Sequence, residues 1–139
     1  MFIEEYDYKI VIGEAAMKVV TQADPMNREN AELEALEEIA GCLRPKYDTG
    51  KIFTATGLDR NRQVLMCAID IALYHMVASL PNRMGMDIRK ERYERAIAWL
   101  KDVQSGKVIP DLPLAADESG ESAAPSVRYG SKPCVDNSY

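Results

Sequence analysis

The sequence has few of the residues from which metal sites and disulfide frameworks are built. It contains a single histidine, His75, and three cysteines, Cys42, Cys67 and Cys134, with no Cys-x-x-Cys spacing. One histidine excludes a site made of several histidines, and an odd number of cysteines is typical of free thiols in a reducing compartment. The Walker A, Gly-x-Gly-x-x-Gly, Gly-x-Ser-x-Gly and His-Glu-x-x-His motifs are also absent. We therefore expect no enzymatic activity, no metal site and no cofactor.

Long uncharged hydrophobic runs are missing as well. The longest apolar stretch, Val64–Leu80, is 17 residues long and contains Asp70 and His75. A membrane-spanning helix needs about 20 residues, and an aspartate at its centre costs about 2.5–3.5 kcal/mol in lipid. The stretch therefore predicts a buried central helix, and no membrane association is expected. The acidic segment 1–7 also lacks the basic start of a secretory signal.

Chain length and net charge limit the number of domains and the kinds of function that remain. The chain has 139 residues, which fits one domain. Seventeen lysines and arginines against 22 aspartates and glutamates give a net charge of −5. An acidic balance argues against non-specific nucleic-acid binding as the main task, because that binding depends on neutralising phosphates with basic side chains.

The first half of the chain predicts two helices. The first spans about residues 12–22. Asp24 and Pro25 are typical of an N-cap and first turn, and Pro45 should end the helix that they begin. The apolar residues of this second helix recur every three or four positions: Leu33, Leu36, Ala40 and Leu43.

The second half predicts two more helices. Asp59 is a candidate N-cap for a third helix over 60–80, and Asp87 for a fourth over 88–105. Gly106 is expected to close the fourth helix in a left-handed conformation. The apolar stripe of the fourth helix consists of Tyr93, Ala96, Ile97, Leu100 and Val103.

These patterns predict an all-α fold, a small four-helix bundle with extended N- and C-terminal arms. A long loop over 46–59, with a short extended piece at Ile52–Phe53, separates the second and third helices. Residues 1–10 are interpreted as an N-terminal arm, 11–114 as the helical domain, with 108–114 extended over the core, and 115–139 as a linker and docking tail. Small and acidic residues over 115–125 are typical of a flexible linker.

The last residues of the chain differ in composition from that linker. The candidate docking residues are Val127, Arg128, Tyr129 and Tyr139. Composition alone supports two interpretations equally: a peptide that docks on a partner, and a plain disordered tail.

Asp70 is the most informative polar residue of the third helix. A buried carboxylate needs a partner, because unpaired burial costs several kcal/mol. Arg92 is the predicted partner, with Arg95 and Arg44 as alternatives, and we favour a structural ion pair over a catalytic acid. His75, alone on an apolar helix, is interpreted as a hydrogen-bonded core residue.

Charge is distributed unevenly between the second and fourth helices. The second helix is acidic outside its apolar stripe: Glu29, Glu32, Glu34, Glu37 and Glu38. Seven basic residues stand against four acidic ones over 83–107. One interpretation is that both charged faces are exposed to solvent. The other is that the acidic face of one copy contacts the basic face of the next copy. Such a heterologous contact between two different patches closes into a ring when the rotation between copies allows it. The residues proposed for that subunit interface are Glu34, Glu37, Arg92 and Arg95.

Three segments carry a resemblance to a known family. They are Leu43–Asp48, with the pattern Leu-x-x-x-Tyr-Asp, Asp70–Tyr74, with Asp-Ile-Ala-x-Tyr, and Arg92–Gly106, with Arg-Tyr-x-x-Ala-x-x-x-Leu followed by glycine. In this order and at this spacing they resemble a tailed-phage and prophage family grouped with the head–tail connector, or head-completion adaptor, proteins. The similarity spans roughly residues 10–114.

The resemblance implies a structural virion protein without cofactor or catalytic activity. Such connectors are helical bundles that form rings, commonly of twelve copies, beneath the portal protein. They extend the DNA channel, pass DNA without sequence-specific binding, and support the stopper or another tail-side neck protein. The expected location is the head–tail junction of the virion, and the host cytoplasm during assembly. The expected partner of the C-terminal tail is the portal or a neighbouring subunit.

A second interpretation is a small helical DNA-binding or regulatory protein of a phage or prophage. It requires a recognition helix with an exposed basic face. The fourth helix has the arginines, but Glu91, Glu94 and Asp102 alternate with them. This interleaving disfavours the second interpretation.

Overall fold

The computed structural model describes residues 1–22, 24–80 and 86–116, and within these ranges the protein is all-α, as predicted. The described residues form six α-helices and one 3-10 helix, and no strand. The helices are α1 (Glu5–Ile12), α2 (Glu14–Val20), α3 (Pro25–Leu43), α4 (Thr49–Thr54), α5 (Arg62–Ala78) and α6 (Met86–Ser105), with the 3-10 helix at Gly57–Asp59. The predicted tail residues Val127, Arg128, Tyr129 and Tyr139 lie outside the described ranges.

Helix α3 begins where the sequence predicted. The Asp24 side chain accepts a hydrogen bond from the Met26 amide at 2.9 Å, and Pro25 occupies the first turn. The apolar stripe was predicted less well, because Leu33 is exposed and Leu36 only half-buried. Of the predicted stripe only Ala40 and Leu43 are buried, and the other apolar α3 residues that face the core are Ala31, Ala35 and Ile39.

Helix α5 is the centre of the molecule. Both α3 and α6 pack against it, and its buried residues occur on nearly all sides, as expected for a central helix. Its N-cap is Asn61, whose Oδ1 accepts hydrogen bonds from the Gln63 and Val64 amides. The prediction that Asp59 is the cap was wrong, because Asp59 belongs to the preceding 3-10 helix.

Helix α6 packs against both α5 and α3. Ala96, Leu100 and Val103 are buried. Gly106 ends the helix with φ +86°, which confirms the predicted left-handed residue. The helix includes Met86, so Asp87 lies in its first turn rather than at the N-cap.

The N-terminal residues are not an arm. They form α1 and α2, which are separated at Gly13, where φ is +78°. Phe2, Ile3 and Tyr8 are buried in the common core. Periodicity missed α1 because a helix of eight residues has too few apolar residues to define a stripe, whereas the helix predicted over 12–22 is confirmed as α2.

The connection between α3 and α5 is also more regular than predicted. In place of an extended piece at Ile52–Phe53 it contains α4, whose N-cap Asp48 accepts a hydrogen bond from the Lys51 amide. Ile52 is buried, so this short helix is held by the core. After α6 the chain crosses the core in non-helical form and buries Leu112, as expected for a segment with two prolines.

Candidate interaction surfaces

Asp70 and Arg92 meet across the α5–α6 contact. Arg92 Nε donates a hydrogen bond to Asp70 Oδ1 at 2.8 Å. The Asp70 side chain is 11% exposed and that of Arg92 is 37% exposed, so the pair lies at the edge of the core. The alternative partners point elsewhere, since Arg95 binds Glu91 at 2.8 Å and Arg44 binds Glu37 at 3.2 Å.

The pair also influences its neighbour Cys67. Burial, together with the negative charge of Asp70, raises the pKa of the Cys67 thiol to about 12. The thiol is therefore protonated at neutral pH and is a poor nucleophile. The Asp70–Arg92 arrangement acts as an ion pair that joins two helices.

His75 joins three helices rather than lying wholly inside the core. Its Nε2 is 2.5 Å from Glu38 Oε1 on α3, and the Tyr93 hydroxyl on α6 donates to Glu38 Oε2 at 3.1 Å. The rings of Tyr74 and Tyr93 stack with centroids 4.1 Å apart. Burial and the Glu38 carboxylate raise the pKa of Tyr93 to about 12, which keeps this hydroxyl a donor. The cluster is a structural junction of α3, α5 and α6.

The acidic face of α3 is smaller than the sequence suggested. Glu34 and Glu37 are exposed, but Glu32 is fully buried and Glu38 belongs to the His75 cluster. The expectation that all five glutamates lie outside the core was therefore wrong. Glu34 and Glu37 remain available to a neighbouring molecule, although Glu37 also pairs with Arg44.

The basic face of α6 is divided in a similar way. Arg95 is exposed, and its pair with Glu91 is an i,i+4 pair at the surface. Arg92 is held by Asp70 and presents only part of its guanidinium to solvent. Of the residues predicted for the subunit interface, Glu34, Glu37 and Arg95 are thus exposed and Arg92 is mostly engaged within the chain.

Sequence reasoning missed the polar contacts of the N-terminal helices. Arg60 Nη1 donates to Asp7 Oδ2 at 2.6 Å and to the Phe2 carbonyl at 2.9 Å. The pKa of Arg60 is raised by its hydrogen bond to Asp7. The apolar residues Phe2, Ile3 and Tyr8 were the available signal that this segment joins the core.

A second missed cluster lies beneath α1. Glu32 is buried beside Tyr8 and Arg28, and Arg28 Nε is 3.3 Å from Glu32 Oε1. Among the described residues, neither carboxylate oxygen of Glu32 has a hydrogen-bond partner of good geometry. Burial raises the pKa of Glu32, and burial with the adjacent carboxylate raises that of Tyr8. Burial therefore disfavours the charged form of each group.

The described part of the chain has neither a cluster of metal-ligating side chains nor a membrane-spanning helix. In residues 1–22, 24–80 and 86–116, no three histidine, cysteine, aspartate or glutamate side chains are arranged to hold a metal ion. No helix within these ranges has the length and hydropathy needed to cross a membrane.

Comparison with known families identifies the chain. The family model described as Bacteriophage Mu, Gp36 matches residues 9–129, which is most of the sequence. The chain belongs to the bacteriophage Mu Gp36 family. The resemblance to a phage family is thereby confirmed. Neither a curated protein nor a solved structure matches the chain.

The Gp36 family match covers nearly all of the described fold. It begins within α1 and includes every later helix. It also continues beyond Ala116, where the described structure ends, to Tyr129. The Gp36 pattern therefore includes the candidate docking residues Val127, Arg128 and Tyr129.

Proposed function

We propose that this Gp36-family protein is a head–tail connector, a structural and non-enzymatic component of the virion. In this role it forms a ring below the portal, extends the DNA channel and supports the next neck or tail component. Membership of a phage family supports a phage role, and the motif resemblance supports the finer assignment. The proposed location is the head–tail junction.

The observation that carries the proposal is exposed charge of opposite sign on two helices of one bundle. Exposed carboxylates of Glu34 and Glu37 lie on α3, and the exposed guanidinium of Arg95 lies on α6. Both helices are held by α5, so the two charged faces have fixed positions. A contact between unlike faces of successive copies is heterologous, and it closes into a ring when the rotation permits.

The net charge of the chain is compatible with a DNA channel. A charge of −5 disfavours retention of DNA, which must pass through a connector without sticking. The partners proposed with the ring are other copies of this chain, the portal protein, and the stopper or another tail-side neck protein.

Charge reversal tests the proposed ring contact. Charged pairs across an interface govern encounter and register, so Glu34→Lys with Glu37→Lys should slow or abolish ring formation. Adding Arg95→Glu should partly restore it. Arg92 is left unchanged, because its reversal would unpair Asp70. Light scattering and native mass spectrometry of the full chain, with and without purified portal, give the mass of each assembly.

A matched control separates the contact from overall charge. Glu14→Lys with Glu29→Lys makes the same change in net charge at exposed positions of α2 and α3, and this variant should assemble like the wild type. Equal assembly of all variants would refute the charged contact. A stable closed dimer that binds a defined DNA duplex would instead support the regulatory function and overturn the connector proposal.

A further inference from the structure

An apolar groove lies between α3 and α4. It has a volume of about 350 Å³, and its apolar lining consists of Leu33, Leu36, Ala40 and Phe53. The first three recur on α3 at intervals of three and four residues, so they form one continuous stripe. Leu33 is 58% exposed, which is unusual for a leucine within an apolar stripe. Glu37 and Arg44 form the charged rim of this groove.

The chain returns to this groove at the end of the described structure. Residues 113–115 run antiparallel to 46–48, since the Asp48 amide donates to the Pro113 carbonyl at 2.9 Å and the Ala115 amide to the Lys46 carbonyl at 3.0 Å. In an antiparallel pair, each further residue of one segment lies opposite an earlier residue of the other. Ala115 therefore lies beside Lys46, two residues along the chain from Arg44 at the rim of the groove.

The remaining sequence has the length needed to bring an apolar segment into the groove. Ten residues, 117–126, separate Ala116 from Val127. In general, a random-coil chain of ten residues has a root-mean-square span of about 17 Å. The α3 side of the groove, from Leu33 to Arg44, is about 17 Å long at 1.5 Å per residue. A tether whose length matches this span gives the tail segment an effective concentration in the millimolar range at the groove.

The composition of the tail agrees with an apolar groove. Val127 and Tyr129 are two positions apart, so an extended chain presents both side chains on one side and Arg128 on the other. The Gp36 family match also continues through Tyr129, beyond the linker. Two independent observations, the exit of the chain and the extent of the family pattern, thus concern the same tail.

We propose that the groove between α3 and α4 is the docking site of the chain's own C-terminal segment Val127–Tyr129. Docking covers Leu33 and Phe53, which otherwise present an apolar surface to water and to other molecules. The inference goes beyond the proposed function, because it concerns a single chain before any assembly.

A peptide competition measures whether the groove is occupied. The probe is a fluorescent synthetic peptide of residues 122–139 with serine in place of Cys134, titrated into the full-length chain and followed by anisotropy. The wild-type groove is filled by its own tail and should bind the probe weakly. Val127→Ser with Tyr129→Ala empties the groove, so this tail variant should bind the probe at least tenfold more tightly.

Two further substitutions in the tail variant locate the binding. Leu33→Lys should reduce probe binding at least tenfold, whereas Leu58→Lys should not, since Leu58 is 93% exposed and lies outside the groove. Both replace exposed leucines, and thermal melting checks that both variants are folded. Equal binding by wild type and tail variant, or equal effects of the two lysines, would overturn the proposal.

The mass of the wild-type chain distinguishes its own tail from that of a second copy. We expect a monomer at micromolar concentration without portal. A concentration-dependent oligomer that the tail substitutions dissolve would mean that the occupant comes from a neighbouring copy, contrary to the proposal. The tail substitutions leave Glu34, Glu37 and Arg95 unchanged, so this outcome is distinguishable from a failure of the charged ring contact.

Discussion

Arg60 and Asp7 form a buried ion pair across 53 residues of sequence. Both side chains are 8% exposed, and the shortest distance, from Arg60 Nη1 to Asp7 Oδ2, is 2.6 Å. The same guanidinium binds the Phe2 carbonyl. One side chain just before α5 therefore fastens α1 and the residues before it to the core.

Removing the carboxylate of this pair should destabilise the protein strongly. Asp7→Ala leaves the Arg60 guanidinium buried without its charged partner, and a loss of about 3–5 kcal/mol in unfolding free energy is expected. Urea denaturation followed by circular dichroism measures the loss. The matched control is Glu5→Ala, which breaks an exposed pair with Lys9 in the same helix and should cost far less unfolding free energy than Asp7→Ala. Similar losses for the two variants would contradict the anchoring role.

Leu100 should contribute to the stability of the core. Its side chain is completely buried in α6, so Leu100→Ala should cost about 2–5 kcal/mol through lost apolar burial and the cavity left behind. The control is Leu58→Ala at an exposed position, which should change the unfolding free energy by less than about 0.5 kcal/mol. A melting temperature unaffected by Leu100→Ala would show that α6 is not packed as described.

Glu32 should reduce stability as the pH rises. Burial raises its pKa in the folded protein above the ordinary 4.5, whereas the unfolded chain keeps the ordinary value. Above pH 4.5 the unfolded carboxyl releases its proton before the folded one, so this group makes unfolding easier as pH increases. Below pH 4.5 both forms are protonated and the contribution disappears.

Glu32→Gln removes this titration while keeping the shape of the side chain. The variant should gain stability over the wild type between pH 5 and 8, and the difference should shrink as the pH falls towards 4.5. Urea unfolding of both proteins at several pH values measures it. Glu29→Gln, at an exposed position of α3, is the control and should show no such trend. A constant difference between wild type and Glu32→Gln at all pH values would exclude the buried carboxylate as its cause.

The Asp70–Arg92 pair should stabilise the α5–α6 contact less than the Arg60–Asp7 pair, because Arg92 is partly hydrated. Asp70→Asn should cost about 1–3 kcal/mol, the range for a lost hydrogen bond to a charged group. Asp70→Leu combined with Arg92→Met should cost less than the sum of the single changes, since neither charge is left unpaired. Unchanged stability of Asp70→Asn would mean that the pair contributes nothing.

The sequence by itself determined the elements with strong local signals. Asp24 and Pro25 marked the start of α3, Gly106 marked the end of α6, and the apolar run from Val64 predicted the central helix. These signals depend on backbone hydrogen bonding and conformation within a few residues, so no tertiary information is required. The order and spacing of three short segments also indicated a phage family, and the comparison confirmed it.

Tertiary structure alone decided which polar residues lie inside. The same helix carries exposed Glu37 and buried Glu32, and the same stripe carries exposed Leu33 and half-buried Leu36. The helical period shows which residues of a helix share a face, but it does not show which face is buried. The buried face depends on the elements that pack against it, here α1 over Glu32 and α4 beside Leu36. Arg60 and Asp7 show the same limit most clearly, because no local rule relates two residues that meet only after the chain has folded.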